Sequence, residues 1–221
     1  MQLFLVLVCF LAACAAQKPH PCVSPSLLSG QFSVSTQNEQ LWAFARFLYD
    51  ALGQRIRLQE FGFYQNKTFT YDTLLLYREG VVYEINNSEK KCMKRPLRAD
   101  FHPMEVPKNA SLLGQVVVGS SSAPGQGLLV NTWTGEFPAN APYLFTVTEF
   151  GCIPVSTTFK TQPFGWMVTS FFNNVIGISD PNELNPPSFC QDAEEEEEPV
   201  NFVSLLQMKS VQAQVNHSPH P

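Results

Sequence analysis

Residues 31–83 form a succession of short aromatic and β-branched runs broken by turn residues, and this pattern limits the fold more than any other feature of the chain. Phe32 and Val34 alternate with polar neighbours. Runs at 56–64 and 69–77 flank Gln65-Asn66-Lys67, and Glu79-Gly80 precedes a further run at 81–85. Alternation at period two sends successive side chains to opposite faces of a strand, and short turns between such runs predict an antiparallel meander. Residues 41–52 also fit a helical stripe through Leu41, Phe44, Phe47, Leu48 and Leu52; the neighbouring runs favour a strand. Later strands are expected at 115–118, 127–133, 143–150, 155–159 and 166–172, punctuated by Pro124-Gly125, Pro138, Pro142, Pro154 and Pro163. The expected fold is mostly β with few short helices. A large curved or doubled antiparallel sheet of this kind must cover its inner face or close around something.

Apolar residues make up 44% of the 221 residues and charged residues 15%, a balance that supplies a core and excludes wholesale disorder. Residues 3–13 are almost wholly apolar and are followed by Cys14-Ala15-Ala16, which reads as a secretory signal peptide over residues 1–16. That run is too short to span a bilayer, and no later stretch approaches the necessary length. Residues 17–191 are expected to form a single domain in the secretory lumen or outside the cell. Three sequons, at Asn66, Asn86 and Asn109, fit surface N-glycosylation of such a chain. Four cysteines remain after the signal: Cys22, Cys92, Cys152 and Cys190. An even count in an oxidising compartment reads as two disulfides with three possible pairings, and no pair has the CxxC spacing of zinc or redox sites.

The net charge of −5 resides at the C-terminal end. From Asp192 onward six acidic residues face Lys209 alone, and the rest of the chain carries thirteen basic and thirteen acidic residues. Residues 192–221 thus read as an acidic then polar disordered tail, in which Phe202, Val203, Leu205 and Leu206 are candidates to dock back. A neutral body argues against nucleic-acid binding, which needs excess Lys and Arg against phosphate. The exception within it is the polar stretch 87–108, read as a basic loop. Its Lys90, Lys91, Lys94, Arg95 and Arg98 are candidate contacts for an anionic headgroup, an acidic partner or the surface of an anionic membrane.

Catalytic signatures are sparse. His102 is the one histidine away from the termini, and the chain has no G-x-S-x-G elbow, HExxH, P-loop or dinucleotide fingerprint. Scattered carboxylates such as Asp72, Glu84 and Glu149 give no reason to pair any two for glycoside hydrolysis. Asp180-Pro181-Asn182-Glu183 offers oxygen ligands, with Asp180 and Glu183 the candidate calcium ligands, but lacks EF-hand spacing. A non-enzymatic binding protein is therefore expected, with no cofactor beyond that calcium ion.

An aromatic β body can line an apolar ligand cavity. One parity on each expected strand supplies the candidate lining: Phe32, Val34, Phe44, Leu48, Tyr71, Leu75, Tyr83, Leu129, Trp133, Phe145, Val147, Trp166 and Val168. A one-residue error in register moves a strand's whole set to the other face.

Several stretches together resemble the ependymin family. They are Pro21-Cys22 with Leu27-Leu28-Ser29-Gly30, Tyr49-Asp50-Ala51-Leu52-Gly53, Leu128-Leu129-Val130-Asn131-Thr132-Trp133, Gly151-Cys152-Ile153-Pro154-Val155-Ser156, Phe171-Phe172-Asn173-Asn174, and Pro187-Ser188-Phe189-Cys190. The resemblance covers about residues 21–191. It implies a secreted or lysosomal glycoprotein with a curved sheet and a deep apolar pocket, similar to bacterial periplasmic lipoprotein carriers. It also implies binding of lipids, anionic ones included, association with calcium, and a homodimer. By the same resemblance Cys22 pairs with Cys152 and Cys92 with Cys190. The competing expectation is an extracellular calcium-associated matrix or adhesion glycoprotein acting through protein contacts.

Overall fold

A computed structural model describes residues 18–195 apart from 66, 138–140, 162–163 and 192 and the side chain of Glu194. The expected signal peptide, the sequon asparagine Asn66, Pro138, Pro163 and the chain beyond 195, with its apolar quartet 202–206, lie outside the described residues.

Among the described residues twelve strands form one open sheet: β1 (Leu27–Thr36), β2 (Leu41–Asp50), β3 (Arg55–Tyr64), β4 (Lys67–Leu76), β5 (Val81–Asn86), β6 (Lys91–Pro96), β7 (Ser111–Gly119), β8 (Gly127–Phe137), β9 (Ala141–Thr148), β10 (Pro154–Thr161), β11 (Gly165–Ile176) and the two-residue β12 (Glu194–Glu195). Their order across the sheet is β12-β6-β5-β4-β3-β2-β1-β11-β10-β9-β8-β7. Two meanders, β1 to β6 and β7 to β11, thus run outward from a central seam where β1 pairs with β11. All pairings are antiparallel except β12 on β6. Residues 41–50 form a strand, as their neighbours suggest. Two sequence expectations are corrected. The stretch 87–108 is not one loop, because 91–96 forms β6, and Glu194–Glu195 add a short strand where the tail was expected to be disordered.

Going from β6 to β7 takes the chain from one side of the sheet to its far edge. The connection, residues 97–110, crosses the inner face. Its sequence suits that path, because Leu97, Phe101, Met104 and Val106 pack inward while Arg98, Asp100, His102, Glu105 and Lys108 are exposed. The N-terminal segment pins it. Val23 bridges Glu105, the Ser24 amide donates to the Met104 carbonyl and the Val106 amide to the Cys22 carbonyl, each at 2.9 Å. Cys22 is bonded to Cys152 in the β9–β10 turn, where Gly151 and Cys152 both hold positive φ, at 83° and 53°. A glycine there takes the left-handed backbone at no steric cost.

Pleating sends Phe32, Phe47, Tyr49, Ile56, Leu58 and Leu75 inward, against the crossover. The outer face of β2 to β6 is covered by residues 177–191 and Ala193. There Ile178, Leu184, Phe189 and Ala193 pack on Leu48, Leu74, Leu76 and Ile85, and Cys190 is bonded to Cys92 of β6. Both disulfides match the pairing expected from the resemblance.

Candidate ligand cavity

A cavity of about 250 Å³ lies between the inner face and the crossover. Its floor is Phe32, Phe47, Ile56 and Leu58 from β1 to β3, with Phe145, Phe159 and Phe171 from β9 to β11. Strands β3 and β9 are five steps apart in the sheet, or roughly 24 Å if flat. One cavity of this size touches both, so the sheet curls around it. The roof is the crossover, through Asp100, His102, Pro103, Met104, Glu105 and Val106. The Met104 amide donates to the Tyr49 hydroxyl at 2.9 Å, and Phe101 stacks on Tyr49 and meets Tyr77 edge-on, which fixes the roof to the floor. Burial raises the Tyr49 phenol above its ordinary value, a trend that the hydrogen bond from Met104 opposes and the nearby Glu105 charge reinforces. Burial likewise pushes the Tyr77 phenol up. Neither hydroxyl ionises near neutral pH.

Of the thirteen lining candidates, Phe32, Phe145 and Val147 border this cavity. Val34, Leu75 and Trp133 are buried on the same face in clusters beside it, Tyr71 packs at the margin, and Leu129 is half-buried on β8. The other five lie on the outer face: Leu48 and Tyr83 under the C-terminal cover, and Phe44, Trp166 and Val168 away from it. The physical cause on β2 is that both parities are apolar. Ala43 and Ala45 accompany Phe47 inward, while the larger Trp42 and Phe44 face out. On β11 the inward set, Met167, Thr169 and Phe171, includes a buried threonine.

The five candidate headgroup cations do not border the cavity, which corrects that expectation. Lys90 and Lys91 line a separate, more open cleft of about 890 Å³ around the β5–β6 hairpin, with Asn86, Asp72 and Glu84. Lys90 sits 5.2 Å over the Phe189 ring and Lys91 is 3.5 Å from Glu89. Lys94 is 2.7 Å from Glu195 and Arg95 is 3.0 Å from Glu84. Arg98 is exposed on the crossover outside the cavity lining. Arg95 with Glu84 is a pair across the antiparallel β5–β6 hairpin, Lys94 with Glu195 a pair across the parallel β6–β12 edge, and Lys91 with Glu89 a local contact at the hairpin turn.

The calcium pair does not fit its ion as placed. Asp180 accepts from the Asn182 amide and caps the 3-10 turn Pro181–Leu184. Glu183 takes a two-pronged hydrogen bond from Arg46, at 2.6 and 2.9 Å, which holds its carboxyl below the ordinary value. A carboxylate already neutralised by guanidinium is a poor ligand for a hard cation, which takes six to eight oxygens. No cluster of three or more His, Cys, Asp or Glu side chains suited to a metal occurs among the described residues.

Asn86 and Asn109 are exposed, as glycan acceptors must be, and the Ser88 hydroxyl of the Asn86 sequon donates to the Asn86 side-chain oxygen at 2.7 Å. Phe47, Ile56, Leu58, Phe159 and Phe171 of the floor, and the entire roof, are not among the residues expected from the sequence. The apolar spacing 97, 101, 104, 106 within a polar stretch was the available signal for the roof.

Residues 65–190 match the family model described as Ependymin. The chain is 33% identical over 200 residues to Ependymin-2 of Carassius auratus, covering 87% of this chain and 93% of that one. It is 34% identical to Ependymin of Notemigonus crysoleucas, covering 87% and 92%, and 31% identical to Mammalian ependymin-related protein 1 of Mus musculus, covering 80% of each. Among solved structures, an uncharacterized conserved protein from Thermus thermophilus has a similar fold, with a TM-score of 0.50 at 12% identity, over 78% of this chain and 91% of that one.

Proposed function

This chain belongs to the ependymin family, and from that premise we propose that it is a secreted or lysosomal, non-enzymatic glycoprotein that holds small hydrophobic molecules, lipid chains among them, in the cavity under the crossover. The observation that carries this reading is the cavity itself: seven apolar side chains from six strands converge on one space, beneath a roof tied down at both the Cys22 and Tyr49 ends. At roughly 30 Å³ per water-sized group, 250 Å³ holds about eight such groups, the body of a short acyl chain. Burying eight methylenes is worth at most about 6 kcal/mol, less where the cavity is already dry. Two disulfides joining distant segments favour an oxidising compartment. No helix of the described residues is long and apolar enough to cross a membrane. Delivery to lysosomes would proceed through the N-glycans.

Lipid extraction and mass spectrometry on protein purified from eukaryotic cells without detergent tests the reading. Stoichiometric lipid, displaced by an added short-chain amphiphile, is the expected result. Protein that is free of lipid and takes up none between pH 4.5 and 7.5 overturns it in favour of a role through surface contacts.

A homodimer is part of the same proposal, supported by the outer face. Trp42, Phe61, Phe63 and Phe172 are 37–52% exposed there, and Phe44 links them, stacking on Phe172 and lying 5.7 Å from Phe61. Contiguous aromatic surface of this kind marks a contact site more often than a free surface. A second copy covering the patch would shield it on both molecules. Light scattering tests this: a dimer that Trp42→Ser/Phe61→Ser converts to monomer supports it, and a monomer in the unaltered protein overturns it.

A further inference from the structure

The ladder forks between β4 and β5. Strand β4 pairs with β3 along its whole length, but with β5 only from Thr73 to Leu76. Beyond the rung that joins Thr73 to Glu84, the first half of β4 and the β5–β6 hairpin part, and the open cleft of about 890 Å³ lies between them. Residues 70–72 line one side and residues 84–93 the other. Across the gap the Asn87 side-chain amide donates to the Asp72 carboxylate at 2.7 Å. Asn86 belongs to this wall and opens the sequon Asn86-Asn87-Ser88. Its Oδ1 atom accepts from the Ser88 amide at 3.1 Å, the Ser88 hydroxyl at 2.7 Å and the Glu89 amide at 3.1 Å. Three donors on the oxygen fix the amide plane, and with it the direction of Nδ2, the atom that carries a sugar in such a sequon.

Register decides what a sugar on that atom meets. Asn86 stands opposite Lys91, and Glu84 opposite both Met93 and Thr73. Opposed residues share a face, as do residues two apart on one strand. Asn86, Glu84, Lys91, Met93 and Tyr71 therefore line the same side of the fork. That wall combines a half-buried ring and a half-buried thioether with a carboxylate and an ammonium. A sugar ring matches it, because its C–H face is apolar while its hydroxyls and acetamido group donate and accept hydrogen bonds.

We propose that this cleft seats the chain's own glycan, with the first N-acetylglucosamine on Asn86 lying against Tyr71 and Met93 and hydrogen-bonded to Glu84 and Lys91. The inference rests on the glycoprotein part of the reading above and gives one glycan a fixed place and a structural role. When the link forms, Nδ2 bonds to C1 of the sugar as C1 breaks from the diphosphate of a lipid-linked donor. The displaced Nδ2 proton leaves with the diphosphate. At roughly 30 Å³ per water-sized group the cleft holds about thirty, the bulk of two such rings. Later sugars run out through its open side. A seated sugar also shields residues 67–72 of β4, which no strand pairs on the β5 side; an edge of that kind otherwise invites pairing with another chain.

Asn109 supplies the internal reference, being exposed in the turn after Pro107 and outside the cleft lining. The full-length protein, purified from eukaryotic cells, is treated under native conditions with peptide-N-glycosidase, and release at each site is followed by peptide mass spectrometry. Two hydrogen bonds of modest net strength should slow release at Asn86 about tenfold relative to Asn109. The rates should become equal after denaturation and reduction, and should converge in Tyr71→Ala/Met93→Ala without denaturation. A second measurement covers poor folding of that variant. Hydrogen exchange in residues 68–72 and 85–91 should quicken once the sugar is removed, and equally in Asn86→Gln, with residues 127–134 unchanged. Equal native release at the two sites, or exchange that does not respond, overturns the seat. Glycan on Asn109 with none on Asn86 overturns this inference and leaves the glycoprotein reading intact. Absence of glycan from every asparagine removes both.

Discussion

The two faces of the sheet are finished by different means. The inner face is crossed by a connection that the strand order makes unavoidable, since β6 and β7 stand on opposite sides of the seam. The outer face is covered on the β2 to β6 side by the segment after β11 and left bare over the aromatic patch. Each cover is stapled by its own disulfide, Cys22–Cys152 inside and Cys92–Cys190 outside. The inner cover is held to its floor by aromatic and backbone contacts and encloses a cavity. The outer cover is held by ions: Arg57, itself buried, grips Asp72 with two bonds of 2.7–2.8 Å and reaches the Glu183 carbonyl at 2.7 Å, while Arg46 holds the Glu183 carboxylate. The inner cover encloses an apolar cavity where directional polar contacts are few, whereas the outer cover borders an open cleft lined with charged and polar side chains, Asp72 of the Arg57 ion pair among them.

Removing the staples separates the two faces most strongly. Cys22→Ser/Cys152→Ser opens a loop spanning 130 positions, a loss of about 5 kcal/mol in the chain-entropy account, and should abolish binding of an added short-chain amphiphile. Cys92→Ser/Cys190→Ser should cost nearly as much in a denaturant titration yet leave binding in place. Equal loss of binding in both would break the distinction between the covers. Next in size, Phe47→Ala on the cavity floor should cost about 3–5 kcal/mol, because Phe47 is 1% exposed. Phe61→Ala on the outer patch, 52% exposed, should cost under about 1 kcal/mol of monomer stability. Asp72→Ala strands a buried guanidinium and should cost about 3 kcal/mol, with hydrogen exchange accelerating first in residues 181–190.

The smallest effect is a pH dependence confined to the outer cover. Glu183 is held below its ordinary value of 4.5 by Arg46, so its contribution is complete above pH 4.5 and drains away as pH falls through the lower folded value. Arg46 is 43% exposed, which limits the contribution to about 1 kcal/mol. Glu183→Gln should be less stable than the unaltered protein at pH 6, and the difference should shrink as the pH is lowered below 4.5. A constant difference across that range would remove the ion pair from the account.

Strands were legible because alternation and turns are local. Ile56 to Tyr64 with Phe69 onward, and Val81 to Ile85, are found at nearly the expected bounds. The amphipathic β6 was not, because Lys91, Lys94, Arg95 and Pro96 outnumber its buried Cys92, and the carboxylates beside them come from three places, Glu89 in the turn, Glu84 on β5 and Glu195 on β12. Facing was harder than existence. On β2 small inward alanines and large outward aromatics invert the usual cue, and which parity faces in depends on β1 and β3 rather than on β2 itself. The site was least legible, since its roof and floor come from segments that meet only through the strand order.

The seam between β1 and β11 carries a consequence for how the chain acquires its shape. Each meander is built from neighbouring hairpins, which close quickly, whereas the seam joins Phe32 to Phe171 and must await closure of a far longer loop. The cavity floor draws on both meanders. An early species with both meanders paired and the seam unformed therefore has most of its hydrogen bonds but no binding site. A ligand that recognises the finished floor leaves that species untouched, so its stabilisation should appear as slower unfolding and leave the folding rate unchanged.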